Sequence, residues 1–404
     1  MTDGIAISSK RRLMLHDGVT FLILTLATVV LFVLTLLLFR SFTEHRAELA
    51  TRWAGRGRVA LTHGRPQDAV EALRTALTYS PGERSYELML AEALEGSGHT
   101  EEATSYFLNL WEAQPGDGVI NLELARLAKK KRDRNEAVRY FQAAVDGSWE
   151  GDGVEHRRDA RLELANYLIE QKDFATAQTE LLIAGSNAPP DAALEVMFGD
   201  ALARAEDNAN ALIYYQKAIK LAPRNALAYE KAGRLAYRMG DYARARGWLE
   251  RAVRESAGGL ASGGGTAGED DLTLLRNSER LLVLSPSVAR TEQDRITREL
   301  DDRSIAQRRF AGCMAQVSKA AADLTAGAQG APSGAAAGLL AMQGLNARWA
   351  AAKGLSTRQT LSADDANEDT LVALIDDTEK TTAAVCGAPS GDDALLLLLA
   401  ENRQ

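Results

Sequence analysis

Histidine is almost absent from this chain. The five present, His16, His45, His63, His99 and His156, lie in the first 156 residues, and none stands at a metal-ligand spacing such as HExxH. Everything beyond them lacks the side chain most often used as a metal ligand or proton carrier near neutral pH. Cysteine is scarcer: Cys313 and Cys386 are the only two, so the chain holds neither a disulfide-dense scaffold nor a CxxC redox or zinc motif. There is no GxSxG nucleophile elbow, and the glycines at 263–265 are not followed by the Lys-Ser/Thr of a phosphate-binding loop. An excess of positive charge is missing too. Forty-seven basic residues face 55 acidic ones, a net charge of −8, and no basic cluster is interleaved with stacking aromatics. That balance argues against nucleic acid as a partner. The carboxylate pairs Asp301-Asp302, Asp364-Asp365, Asp376-Asp377 and Asp392-Asp393 are expected to be solvated helix surface, because adjacent helical residues do not share a face. No catalytic residue, metal or cofactor is expected. With 46% hydrophobic and 25% charged residues over 404 positions, the rest reads as ordinary globular protein of two or three domains.

Charge is absent over one long stretch. From Val19 to Phe39 there is no ionisable residue, and nearly every position is Leu, Val, Ile, Phe, Ala or Thr. Twenty-one residues make about 31 Å of helix, the thickness of a hydrocarbon core. A cleaved signal peptide has a shorter apolar stretch, roughly 7–15 residues, and a small-x-small cleavage site, which does not follow Leu38 and Phe39. Residues 18–40 are therefore expected to form an uncleaved transmembrane helix, in contact with the lipid bilayer through 19–39, of a single-pass inner (plasma) membrane protein. Lys10, Arg11 and Arg12 precede the span, whereas Arg40, Arg46, Arg52, Arg56 and Arg58 follow it, so the raw count does not favour an inside N-terminus. Large folded regions cross largely regardless of charge, however, while a short tail with three adjacent positives tends to stay inside. The tail, residues 1–17, is expected in the cytoplasm and the rest in the periplasm. Neither Gly nor Pro occurs between Val19 and Ala54, so the span is expected to run straight into the helix that follows.

What the chain has in abundance is a repeat. Ala69, Ala103, Ala137, Ala177, Ala211 and Ala245 are separated by 34, 34, 40, 34 and 34 residues. Four residues after each comes a large apolar side chain: Leu73, Phe107, Phe141, Leu181, Tyr215 and Leu249. Three further on stand Ala76, Leu110, Ala144, Ala184, Ala218 and Ala252. Twelve residues before each alanine is Gly57, Ala91, Ala125, Ala165, Gly199 or Gly233, and twelve after it, in four copies, is Pro81, Pro115, Pro189 or Pro223. Small residues let two helices approach to about 8 Å, and proline stops the second helix by removing its amide donor. This pattern resembles the tetratricopeptide repeat, a helix-turn-helix unit of 34 residues. The resemblance covers about half of the chain and implies an all-α fold: an α-solenoid of six repeats over residues 47–257, behind the N-terminal transmembrane helix and before a helical C-terminal domain. The third repeat has Trp149 in place of proline, and its six extra residues, around Gly151, Asp152 and Gly153, are expected to bulge from one edge as a lengthened turn. Trp53 occupies a column where the family often has Trp, so core packing is expected over a membrane-interface role.

The resemblance also implies a concave groove lined by the first helix of each repeat, holding a protein partner. The residues after the small landmark would point into it: Arg58, Glu92, Arg126, Asn166, Asp200 and Arg234, with Lys129 and Lys130 in the middle and Tyr237 and Arg238 at the far end. Two readings stand side by side, charges paired between neighbouring helices and recognition of a polar partner. The carboxylate clamp of co-chaperone members is absent, because Asn166 has Leu162 one turn before it and Arg126 has Leu122. Exposed Leu61, Leu88, Leu122, Leu162, Val196 and Leu227 would instead suit a translocation-associated chaperone that holds client chains.

Residues 258–269 are glycine-rich and read as a linker. In the C-terminal domain, 270–404, a helix bearing Leu272, Leu274, Leu275, Leu281, Leu282 and Leu284 ends before Pro286 and is expected to cover the bare face of repeat six. Three or four more helices follow, over about 287–324, 335–353 and 364–385, with a short one at Leu395–Leu399 too short to span a membrane. Cys313 and Cys386 are either two buried thiols or a disulfide, the latter conditional on an oxidising compartment. The function expected is a membrane-anchored scaffold for protein–protein interaction or complex assembly. The chaperone is the alternative, and an enzyme seated in 270–404 the remotest reading.

Overall fold

The computed structural model describes residues 3–258, 269–325 and 335–403 and is helical throughout; among these residues the one β-type pairing is an isolated bridge between Asp117 and Ser148. The glycine-rich stretch expected as a linker lies, from 259 to 268, outside the described residues. The chain divides into two compact units, Met1–Tyr167 and Leu168–Gln404.

The first unit opens with α1 (Asp3–Thr62), one helix of 60 residues that carries the apolar span directly into repeat one. The side chains from Val19 to Phe39, such as Phe21, Phe32 and Phe39, are all exposed, and the helix is long and apolar enough to cross a membrane. Beyond the span the pattern changes: Ala50, Ala54, Gly57 and Ala60 form a small, buried stripe against α2 (Pro66–Tyr79). Repeat two is α3 (Arg84–Gly96) with α4 (Thr100–Ala113), repeat three α5 (Gly118–Lys130) with α6 (Arg134–Asp146), and α7 (Gly153–Glu170) opens repeat four. In the second unit α8 (Phe174–Ser186) closes repeat four, α9 (Ala192–Arg204) and α10 (Asn208–Leu221) form repeat five, and α11 (Ala226–Arg238) and α12 (Tyr242–Gly258) form repeat six.

The repeat columns acquire their physical meaning here. All six alanines and the large residues four positions on are buried. The small residue earlier in the repeat is what lets that large side chain in. A Cβ on Gly57 would stand 2.6 Å from Leu73 Cγ, on Gly199 2.5 Å from Tyr215 Cε1, and on Gly233 2.7 Å from Leu249 Cγ. Gly199→Val should consequently overpack the Tyr215 site and destabilise repeat five by about 1–3 kcal/mol, measurable as lost hydrogen-exchange protection in α9 and α10. Unchanged protection there would mean the contact is loose. A further column, five residues before each alanine, went unread: Gly64, Gly98, Arg132, Lys172, Glu206 and Gly240 all have φ between 61° and 84°. Each repeat turns through a left-handed residue, and glycine does so at no steric cost in only three. Asp133, Asp207 and Asp241 then cap the second helix, their side chains accepting from the backbone amides of Glu136, Asn210 and Arg244 at 3.0–3.1 Å.

The six inserted residues of repeat three do not bulge as a long turn. Most of them extend α7 to 18 residues, against 13 in α3 and α5. The turn is pinned instead: the Trp149 indole sits over Gly118, where any Cβ would overlap it, stacks on His156 at 5.2 Å and donates to Ala144 O at 2.9 Å. Trp53 is half-buried, with the Arg56 guanidinium 4.4 Å over its ring.

After the repeats come α13 (Glu269–Leu284), α14 (Glu292–Thr325), α15 (Ala335–Ala351), the single turn α16 (Arg358–Leu361), α17 (Asp365–Cys386) and α18 (Asp392–Asn402). The α13 helix covers repeat six: Leu274 and Leu275 pack on Ala236, Ala245 and Leu249. The α18 leucines Leu395, Leu396 and Leu399 join Tyr242, Leu281, Leu284 and Ile305. These contacts tie residues 269–403 to the last repeats, so the unit boundary falls inside repeat four and not at the glycine-rich stretch. A separate core holds α14, α15 and α17 together around Ile296, Met342, Leu345, Trp349, Leu371 and Leu374, where Trp349 donates its ring N–H to Thr378 Oγ1 at 3.0 Å. A disulfide joins Cys313 of α14 to Cys386 at the end of α17, with Cα atoms 5.8 Å apart.

Candidate partner-binding surface

In the first unit, α3, α5 and α7 bring the expected groove charges into a ladder. Arg126 lies at its centre, donating through Nε to Glu163 at 2.9 Å, with a second guanidinium bond to the same carboxylate, and pairing with Glu123 at 2.5 Å. One turn along α5, Lys130 reaches back to Glu95 of α3 at 2.6 Å, and Lys129 stands 5.6 Å over the Tyr167 ring. Burial, opposed by Arg126 and reinforced by Glu95, Glu92 and Glu163, lifts Glu123 to about 7, and burial with the nearby Glu95 raises Glu92. The Arg126 pKa is raised, first through its hydrogen bond to Glu163. Of the two readings, pairing between neighbouring helices describes most of this surface. Arg58 is exposed on the last turns of α1, and Asn166 is half-buried on α7.

In the second unit, Asp200 accepts from Tyr215 Oη at 2.7 Å and pairs with Lys231 at 3.2 Å. Arg238 is exposed. Two expected groove residues are already engaged. Arg234 pairs with buried Asp271 at 2.6 Å and with Glu230 at 3.2 Å, and Tyr237 packs among α13 residues and against the Tyr242 ring at 5.5 Å. Apart from Glu230 and Tyr242, the helix that caps repeat six supplies both of these contacts.

Leu122 is a correction as well: it is 9% exposed and offers little surface to a partner. Val196 is likewise buried, Leu61, Leu88 and Leu162 are half-buried, and only Leu227, at 48%, is open. No continuous apolar track runs along these positions. Sequence reasoning missed an open cleft of about 590 Å³ at the start of the array, lined by Trp53, Arg56, Val59, Arg65, Asp68 and Glu71, where repeat one has no repeat before it. A second cleft of about 440 Å³, in the other unit, is bordered by Met239, Tyr242, Leu282, Val288, Leu399 and Arg403. Among the described residues no group of His, Cys, Asp or Glu is placed to hold a metal. The acidic pairs are not uniformly solvated: Asp302 is 2% exposed and Asp376 half-buried. Asp301 is exposed beside buried Asp302, Asp377, Asp392 and Asp393 are half-buried, and only Asp364 and Asp365 are both exposed.

Helix hairpins stacked through small residues, with a charged surface on the first helices, define a repeat scaffold for protein–protein interaction. The tetratricopeptide repeat family model matches residues 55–118, 122–192 and 196–259, and the chain belongs to that family. Among solved structures it is similar to the C-terminal part of a tetratricopeptide repeat-containing protein from Cytophaga hutchinsonii, at 14% identity over 60% of this chain and 91% of that one, TM-score 0.44. It is also similar to PilF of Pseudomonas aeruginosa, at 18% identity over 54% of this chain and 96% of that one, TM-score 0.39. A third is PilW, a type IV pilus biogenesis factor, at 17% identity over 58% of this chain and 98% of that one, TM-score 0.39. No curated protein matches the chain.

Proposed function

We propose that the chain is a single-pass inner membrane protein that holds its repeats beside the membrane, on the periplasmic face, as a scaffold on which a protein partner or assembly intermediate is positioned. The observation that carries this reading is α1. An exposed apolar span and the first helix of repeat one are one unbroken helix, so the array has no flexible joint at its anchor. The disulfide between Cys313 and Cys386 favours an oxidising compartment for the C-terminal part. In the first unit the partner meets mixed charge on the first helices, with Arg58 exposed and the Glu92–Glu123–Arg126–Glu163 ladder beside it; in the second unit Arg238 is the exposed charge. The chaperone alternative loses support from the burial of Leu122 and Val196.

The test begins with membrane fractions of cells making the full chain. The protein should resist an alkaline carbonate wash, and removal of residues 1–40 should release it. A cysteine placed at exposed Ala47 should react with a membrane-impermeant maleimide in intact spheroplasts; labelling only after lysis would overturn the periplasmic reading. Crosslinking followed by pull-down should return one stoichiometric partner, whereas a broad mixture of unfolded chains would replace the scaffold with the holdase.

A further inference from the structure

The C-terminal helix α18 closes over elements that hold carboxyl groups away from water. Its leucine strip packs on α12, α13 and α14. In the helices around it, Glu299 and Asp302 of α14 are 3% and 2% exposed, and Glu379 of α17 is completely buried. Both oxygens of Glu379, one of Asp302 and one of Glu299 have no hydrogen-bond partner. A buried carboxylate in that condition is strongly disfavoured, whereas the neutral acid is tolerated.

The charges facing these groups do not relieve them. Around Glu379, burial is the main effect, Asp393 of α18 and Asp376 of α17 add to it and Arg309 of α14 opposes it, and the carboxyl is pushed up to about 8. Around Asp302, burial again leads, Asp301 and Glu299 add, and Arg403 beyond α18 and Arg280 of α13 oppose, with the carboxyl also at about 8. Glu299 is lifted to about 7 by burial and by Glu368 and Asp369 of α17, against Arg295 and Arg403. Three of the opposing arginines are paired with other carboxylates, Arg280 with Asp392 at 2.7 Å, Arg403 with Asp376 at 3.0 Å and Arg295 with Glu368 at 2.8 Å, while Arg309 donates to Gly387 O at 2.7 Å and keeps a buried Nε without a partner. The anchors of α18 are thus two ion pairs, Asp392 at its start and Arg403 beyond its end, one hydrogen bond from Asn402 to Tyr242 Oη at 2.8 Å, and one leucine strip.

We propose that α18 is a proton-operated latch, closed on α13, α14 and α17 while Asp302 and Glu379 are uncharged, and released from them when those two carboxyls ionise. Release exposes Leu395, Leu396 and Leu399 together with the bed they leave, Tyr242, Leu281, Leu284 and Ile305. The direction follows from linkage. The closed state binds protons more tightly than the open one, so the closed state's advantage is full below the ordinary carboxyl range and is lost as pH rises. Between about pH 4.5 and about pH 8, each carboxyl that gains water on opening raises the open population about tenfold per pH unit.

Hydrogen exchange of the full chain in detergent, expressed as protection factors so that the intrinsic pH dependence cancels, tests this at about pH 5.5 and about pH 7.5. Residues 392–402 should lose at least about tenfold in protection at the higher pH, while α10 and the buried parts of α14 and α17 keep theirs. Glu379→Gln and Asp302→Asn carry neutral side chains of the same shape and should hold α18 protected at both pH values. Three results would each overturn the latch: no pH dependence in α18, loss of α14 and α17 together with it, or a full pH dependence retained in the two variants. If a variant does not fold, the wild-type comparison of α18 with α14 and α17 decides alone.

Discussion

Phe107→Ala is expected to destabilise the packing around repeat two by about 3–5 kcal/mol, the cost of a large buried aromatic removed from a site that relaxes only in part. Phe107 is fully buried and stands in the column whose members Leu73, Tyr215 and Leu249 close on Gly57, Gly199 and Gly233. In a repeat array each unit is stabilised by its neighbours, so the loss should be local. Hydrogen exchange should show α3, α4 and α5 losing protection, with α14 and α17 unaffected. Phe107→Leu, which installs the residue repeat one has in the same column, should cost less than about 1.5 kcal/mol. An equal effect of the two substitutions would show that side-chain volume at this column is not what holds the hairpin to its neighbour.

Replacing Cys313 and Cys386 together by serine should cost the C-terminal helices about 4 kcal/mol, because the bridge closes a loop of 73 residues and removes that much chain entropy from the unfolded state. The two positions join α14 to the end of α17. Adding a reductant to the wild-type protein should lower the melting transition of these helices by the same amount as the double substitution. Coincident melts of oxidised and reduced protein would remove the bridge from the account of stability and weaken the case for a periplasmic location with it.

Much of this was legible in the residues. The alanine columns specify helix hairpins because close approach of two helices tolerates only small side chains, a local requirement that recurs every 34 residues. The apolar span was legible because length and lack of charge suffice for it. The capping role of α13 could be foreseen from an exposed terminal repeat followed by a leucine stripe. The left-handed turn column was present as well but hidden, since Arg132, Lys172 and Glu206 fill three of its six places and no composition signal marks them.

The groove was less legible. A residue's position after a small landmark says which helix face it occupies, but not what lies opposite. Arg126 meets Glu163 of the next repeat's first helix, and Arg234 meets Asp271 of a helix that is not a repeat at all. Leu122 lies one turn before Arg126 on the same face of α5, yet it is buried while Arg126 remains partly open, because exposure along one face depends on what packs over each turn. The inserted residues of repeat three were expected in a turn and entered α7, since Trp149 fastens the connection over Gly118 and leaves the remainder free to add helical hydrogen bonds.

By itself the sequence determined the class of fold, the number of repeats and the apolar span, because each depends on residues near one another along the chain. Only the tertiary structure decided which charges are paired, that α13 packs on repeat six with Asp271 against Arg234, and that Asp302, Glu299 and Glu379 are buried with carboxyl oxygens left unpartnered. Those properties depend on burial, which is set by the elements that pack against a residue and not by the residues beside it in the chain.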